Sequence, residues 1–225
     1  MRRSAPRTAL GVLLGLAGLA APPAARGDAA QDAMRLQLLS PAISGDGKTV
    51  AIVSLDPGDG PGASGSLALF DAGGALWRRL PLWAPQRDPR RAQTSYREAT
   101  RLMDEAGFRR MGRLTRHAEK TIVRHKPGDP APRFEGLFSH GDYGVTVTVT
   151  GGTLKVEAKR GKRTLGPWTV AFATPPAACP AVAGYSVSPA RAGLQAASRL
   201  LALSVVVEDA DGNACFSHEA VFPLK

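Results

Sequence analysis

The chain has 225 residues, a formal charge of +10 and only two cysteines, Cys179 and Cys215. That length supplies one well-buried domain or two small ones, and the position of both cysteines in the last quarter excludes lipid attachment at an N-terminal thiol. The charge is uneven: residues 28–76 hold two bases and six acids, residues 77–133 fifteen and six, and residues 134–225 eight and seven.

Residues 1–27 carry Arg2, Arg3 and Arg7, an apolar stretch from Leu10 to Ala21, and then small residues. This is the order of a secretory signal peptide. The apolar stretch is shorter than the roughly 20 residues a membrane-spanning helix needs. Ala25-Arg26-Gly27 places the expected cut before Asp28, with Gly18-Leu19-Ala20 as the earlier alternative. "RRSAPR" lacks the apolar residues expected after a twin-arginine pair. The expected location is the periplasm or the exterior, with no stable membrane span.

Residues 28–86 are read as a β-hairpin region, two strands around a loose loop. "TVAIVSL" (49–55) and "SLALFDA" (66–72) are strand-like, and "DPGDGPGASG" (56–65) between them is loop composition. "AISGDGKT" (42–49) satisfies a loose form of a phosphate-binding loop. Such a loop needs a strand before it and a helix after it. Here Ser40-Pro41 precedes, strand-like "VAIVSL" follows, and Asp46-Gly47 is a tight-turn dipeptide. The octapeptide is predicted to be a turn, and no nucleotide is expected.

Ser44, Asp46, Gly47 and Lys48 before a strand, and Asp71, Gly73, Gly74 and Leu80 after the next, resemble one blade of the TolB-type β-propeller family over about residues 38–81. Gly45 stands where that family usually has Pro. The resemblance implies a local blade-like sheet. A propeller needs about four blades or more, and no second copy is present, so a complete propeller is not expected.

Residues 87–133 are read as basic linker, helix and strands. Tyr96, Ala99, Leu102, Met103 and Ala106 fall at helical spacing, predicting a helix over about 95–106. Ser95 with Glu98 fits a capping box, and Gly107 fits a C-terminal cap. "APQRDPRRAQT" before it reads as linker, and "FRRMGRLTR" and "EKTIVRHK" after it as charged strands.

Residues 134–225 alternate most clearly. Val145, Val147 and Val149 alternate with Thr, Leu154, Val156 and Ala158 with charged residues, and Trp168, Val170 and Phe172 share a face. Gly151-Gly152 and Gly161-Lys162 mark the hairpin turns. An antiparallel meander with one wet face follows, and after it the strands "AVAGYSV", "LLALSVVVED" and "ACFSHEAVF". The predicted fold class is α+β, mainly β, with residues 28–225 forming one domain.

Chemistry-bearing patterns are sparse. His117, His125, His140 and His218 show no metal-ligand spacing. His140 and Asp142 are the weak candidates for a catalytic pair, with no G-x-S-x-G nucleophile motif beside them. "EDADGN" (208–213) has its glycine out of register for a calcium loop and reads as a turn. Arg109, Arg110, Arg113 and Arg116 are the candidate binding residues, for acidic groups. Cys179 and Cys215 are read either as one disulfide or as two small core residues. No cofactor or metal is expected. The leading role is an exported, non-catalytic binding or accessory protein. The alternatives are a secreted hydrolase of a polymeric substrate using His140 and Asp142, and an adaptor binding acidic polymers through the arginines.

Overall fold

The computed structural model describes residues 24–54, 63–83, 88–124, 129–172 and 182–225. The fold class is the expected one, mainly antiparallel β with helices to one side. The described residues contain two helices where the sequence predicts one. Helix α1 (Ala24–Leu39) has almost no amphipathic stripe to announce it. It is held from outside, by burial of Leu36 beside α2 (Pro89–Glu105) and by a bidentate pair of Arg35 with Asp104 at 2.7 and 3.1 Å.

Helix α2 starts six residues before the predicted one. Asp88 caps it, its side chain accepting from the Arg91 N–H at 3.0 Å, with proline in the first turn. Proline has no N–H to lose there and its φ suits a helix start, so residues read as linker become the opening turns. Ser95 is no cap: its hydroxyl donates to the Ala92 carbonyl at 3.1 Å and accepts from the Trp83 N–H at 3.3 Å. The C-terminus ends as predicted. The N–H groups of Gly107 and Phe108 bond to the carbonyls of Asp104 and Met103, the paired closure of a Schellman motif.

The strands form three sheets. The first contains β1 (Ala42–Ile43), β2 (Thr49–Ser54), β3 (Ala63–Asp71), β4 (Leu76–Trp83) and β5 (Arg109–Arg110), in the order β4-β3-β2-β1-β5. After β6 (Gly112–Arg113), the second is the meander: β7 (Thr115–Ile122), β8 (Arg133–His140), β9 (Tyr143–Thr150), β10 (Thr153–Arg160) and β11 (Arg163–Ala171), in reverse chain order. Two-residue turns join β8 to β11. Thr150 pairs directly with Thr153, with Gly151 and Gly152 both at positive φ between them. A β-carbon would oppose that geometry. The third sheet is β12 (Gly184–Gln195), β13 (Leu200–Glu208) and β14 (Ala214–Pro223) with β6, in the order β14-β13-β12-β6.

These sheets stack because β13 is apolar on both faces. Leu201, Leu203, Val205 and Val207 join one core with Val147, Val149, Leu154 and Val156 of the meander. Leu200 and Ala202 join another with Ile43, Val50, Ile52, Ala68 and Phe70 of the first sheet. The opposite face of that first sheet packs Leu67, Leu69 and Leu82 against Ala92, Ala99 and Met103 of α2. The layers therefore run helices, first sheet, third sheet, meander.

Between the first and third sheets the apolar core gives way to a polar seam. Ser54, Ser66 and Glu219 are buried there. The Ser54 and Ser66 hydroxyls are 2.5 Å apart, and Arg79 donates to both, at 3.3 and 3.0 Å. Arg79 also pairs with Glu219 at 3.7 Å, and Ser217 donates to Glu219 at 2.5 Å. The Glu219 side chain is 1% exposed.

Removing one partner of a buried pair strands the other, at a cost of roughly 3 kcal/mol. Urea unfolding of Arg79→Ala, which leaves the Glu219 carboxylate buried, should show a loss of about that size. Equal stability to the wild type would mean the seam holds nothing. His218 gives a pH signature. Burial, then the positive charge of Arg79, hold its imidazole below the ordinary value of 6.5, and its ring lies 4.5 Å from that of Phe172. The unfolded chain therefore takes up this proton before the folded one does. Stability should fall as pH drops below about 6.5, and His218→Phe should flatten the decline between pH 7 and 5.

Candidate functional site

The octapeptide is a turn. The Ser44 hydroxyl donates to the Asp46 carboxylate at 2.6 Å and accepts from the Thr49 N–H at 2.9 Å, and Asp46 accepts from the Lys48 N–H at 3.0 Å. These bonds, led by that to Ser44, hold the Asp46 carboxyl below its usual range. Strand β2 follows, so no helix N-terminus faces the loop. The Asp209 loop closes similarly: its carboxylate accepts from the N–H groups of Asp211 and Asn213 at 2.9 and 2.8 Å. Among the described residues no cluster of three His, Cys, Asp or Glu could hold a metal.

His140 and Asp142 are neighbours in sequence with separate partners. The Nδ1 of His140 lies 3.0 Å from the Arg113 carbonyl. A carbonyl oxygen can only accept, so Nδ1 carries the proton. A β-carbon on Gly112 would come within 2.2 Å of the His140 ring, so glycine makes room for it. Asp142, at the hairpin tip, binds Arg160 at 2.5 Å, which holds its carboxyl low. One histidine–hydroxyl pair was not legible in the sequence: His117 Nε2 lies 2.6 Å from the Ser139 hydroxyl, on the exposed outer face of β7 and β8. Strand pairing across a bulge creates it, and no spacing announces it.

The arginines separate. Arg109 is exposed on β5, and Arg116 pairs with Glu119 three residues on. Arg110 and Arg113 meet in one pocket of about 280 Å³, where Arg191 joins them. Gln37, Ser40, Val53 and Ala190 complete much of its wall. Arg191 comes from a bulge in β12: Val187 pairs with Val205 and Ala192 with Leu203, so residues 188–191 stand opposite Ser204 alone. Pro189 inside an apolar strand is the sequence signal for such a break; the arginine beside it carries no signal of its own.

Electrostatics set this pocket apart. Arg110 Nε and Arg191 Nη1 are buried without a hydrogen-bond partner. Among the described residues Arg110 reaches the Ala190 carbonyl alone, at 3.5 Å. Burial, then like charge from Arg113, lower the proton affinity of Arg110; burial lowers that of Arg191, opposed by Glu219. Guanidinium groups stay ionised regardless, so the two buried nitrogens remain as hydrogen-bond donors without an acceptor. No carboxylate lines the pocket among the described residues. The hollow between β4 and α2, about 340 Å³, contrasts with it. There Arg91 pairs with Asp88 and lies 4.9 Å from the centre of the Trp83 ring, and Glu98 pairs with Arg78.

Cys215 is half-buried against the larger core, and Cys179 lies outside the described residues. Residues 1–23 of the predicted signal (1–27), residues 56–62 of the predicted loop (56–65) and His125 also lie outside them; residues 24–27 belong to α1, and residues 63–65 open β3 instead of closing a loop. No described helix is long and apolar enough to cross a membrane. Comparison with protein-family models, curated proteins and solved structures finds no match to this chain.

Proposed function

We propose that this is an exported, non-catalytic binding protein whose ligand bears a negative charge held by Arg110, Arg113 and Arg191. The observation that carries the reading is the convergence of three guanidinium groups, two with buried and unpartnered nitrogens, in one pocket. A buried polar nitrogen without a hydrogen-bond partner is costly, and an anion entering the pocket offsets that cost. The separate commitments of His140 and Asp142 favour binding over hydrolysis. The separation of Arg109 and Arg116 from the pocket favours a compact anion over a long polymer. The four-stranded run from β1 to β4 supports the blade-like reading of residues 38–81.

Phosphate or citrate at low salt should raise the wild-type melting temperature. Saturation at 100 times the dissociation constant stabilises by about 2.7 kcal/mol. Arg110→Gln with Arg191→Gln should abolish the rise, and added chloride should weaken it by screening. A wild type indifferent to every anion tested would overturn the reading.

Export and a Cys179–Cys215 disulfide belong to the same proposal, on the signal pattern of residues 1–27 and the oxidising compartment it implies. The mass of the exported protein after alkylation without reductant checks both. The expected species starts near Asp28 and carries no alkyl group. An intact Met1, or two alkylated thiols, would remove the corresponding element.

A further inference from the structure

The arginine pocket does not end at the arginines. Met34, Leu38 and Arg110 line it, and the same three residues line a neighbouring hollow of about 450 Å³. That hollow continues over Leu39 and Phe108. Its two other charges, Arg35 and Asp104, are bound to each other. They offer nothing to a second anion. Met34 and Leu38 stand one helical turn apart on α1 and are 64% and 57% exposed. Large apolar side chains at such exposure gain by being covered, and methionine adapts to chains of varied shape.

From this continuity of a cationic pocket with an apolar trough we infer that the ligand is an anionic amphiphile. A carboxylate or phosphate head sits on Arg110, Arg113 and Arg191, and an alkyl chain lies over Met34, Leu38, Leu39 and Phe108. The inference rests on the anion-binding reading above and adds the tail. It explains why the exposed apolar residues of α1 adjoin guanidinium nitrogens that lack an acceptor. The head accepts from those nitrogens, and the chain covers the exposed apolar side chains of Met34 and Leu38. The chemistry is shared by free alkyl carboxylates and by anionic lipids of a bilayer.

Isothermal titration with phosphate, hexanoate, octanoate and decanoate, each below its micelle concentration, tests the tail on the wild-type protein alone. Affinity should rise two- to fourfold per added methylene, the upper figure corresponding to full burial at about 0.8 kcal/mol per group. Decanol should bind at least tenfold more weakly than decanoate. Met34→Gln with Leu38→Gln should flatten the series, because the chain loses its apolar bed. Arg110→Gln with Arg191→Gln should weaken decanoate at least tenfold. Cosedimentation with phosphatidylglycerol vesicles but not phosphatidylcholine vesicles, lost in both double variants, would assign the chemistry to a bilayer; saturable decanoate binding without cosedimentation assigns it to free ligand. A flat series with arginine-dependent phosphate binding and no vesicle association overturns the amphiphile and keeps the anion site. Decanol binding equal to decanoate overturns the head assignment. Absence of binding to every anion and vesicle removes both.

Discussion

Among the described residues one buried carboxylate sits where the first and third sheets meet. Glu219 is almost wholly buried and takes its compensation from Arg79 on one side and Ser217 on the other. Arg79 belongs to β4 and Glu219 to β14, so the pair ties the N-terminal sheet to the C-terminal one. Such a pair adds little net stability over an apolar contact of the same shape. It does fix how the sheets meet, because a shifted register would leave a charge buried alone. The apolar half of the same interface, Val50, Ile52, Phe70 and Leu200 among others, supplies the driving force.

The arginine pocket follows from that junction. Strand β12 lies in the same sheet as Glu219, and its bulge opposite Ser204 turns Arg191 out of the ladder. The bulge leaves the Ser204 hydroxyl buried and unbonded. Arg110 and Arg113 arrive from two short strands, one paired with the first sheet and one with the third. The site is therefore assembled at the border of two sheets, where neither ladder satisfies every polar group. Polar groups left over at such a border are the groups free to bind something else.

The resulting charge arrangement differs from the rest of the surface. Several basic side chains elsewhere have acids beside them: Arg35 with Asp104, Arg78 with Glu98, Arg160 with Asp142. Exposed pairs of this kind contribute little to stability, but they neutralise the field of a basic segment. In the pocket three guanidinium groups adjoin an apolar trough, and a field of one sign attracts the opposite charge.

The sequence by itself determined the local structure wherever alternation and turn chemistry agree. The meander from β8 to β11 follows from Val145, Val147 and Val149 and from glycine turns that admit only tight hairpins. The Asp46-Gly47 turn followed from the strand after it. It also gave the end of α2 but not its start, because Asp88-Pro89 sits in a segment whose composition reads as linker. Helix α1 was not legible, since its place comes from Leu36 and Arg35 meeting α2 rather than from any stripe of its own. Only the tertiary structure decided the stacking of three sheets, the Arg79–Glu219 junction and the meeting of Arg110, Arg113 and Arg191. The reason is physical: residues 80 positions apart come together through sheet packing, and neither periodicity nor spacing records a contact between strands that share no turn.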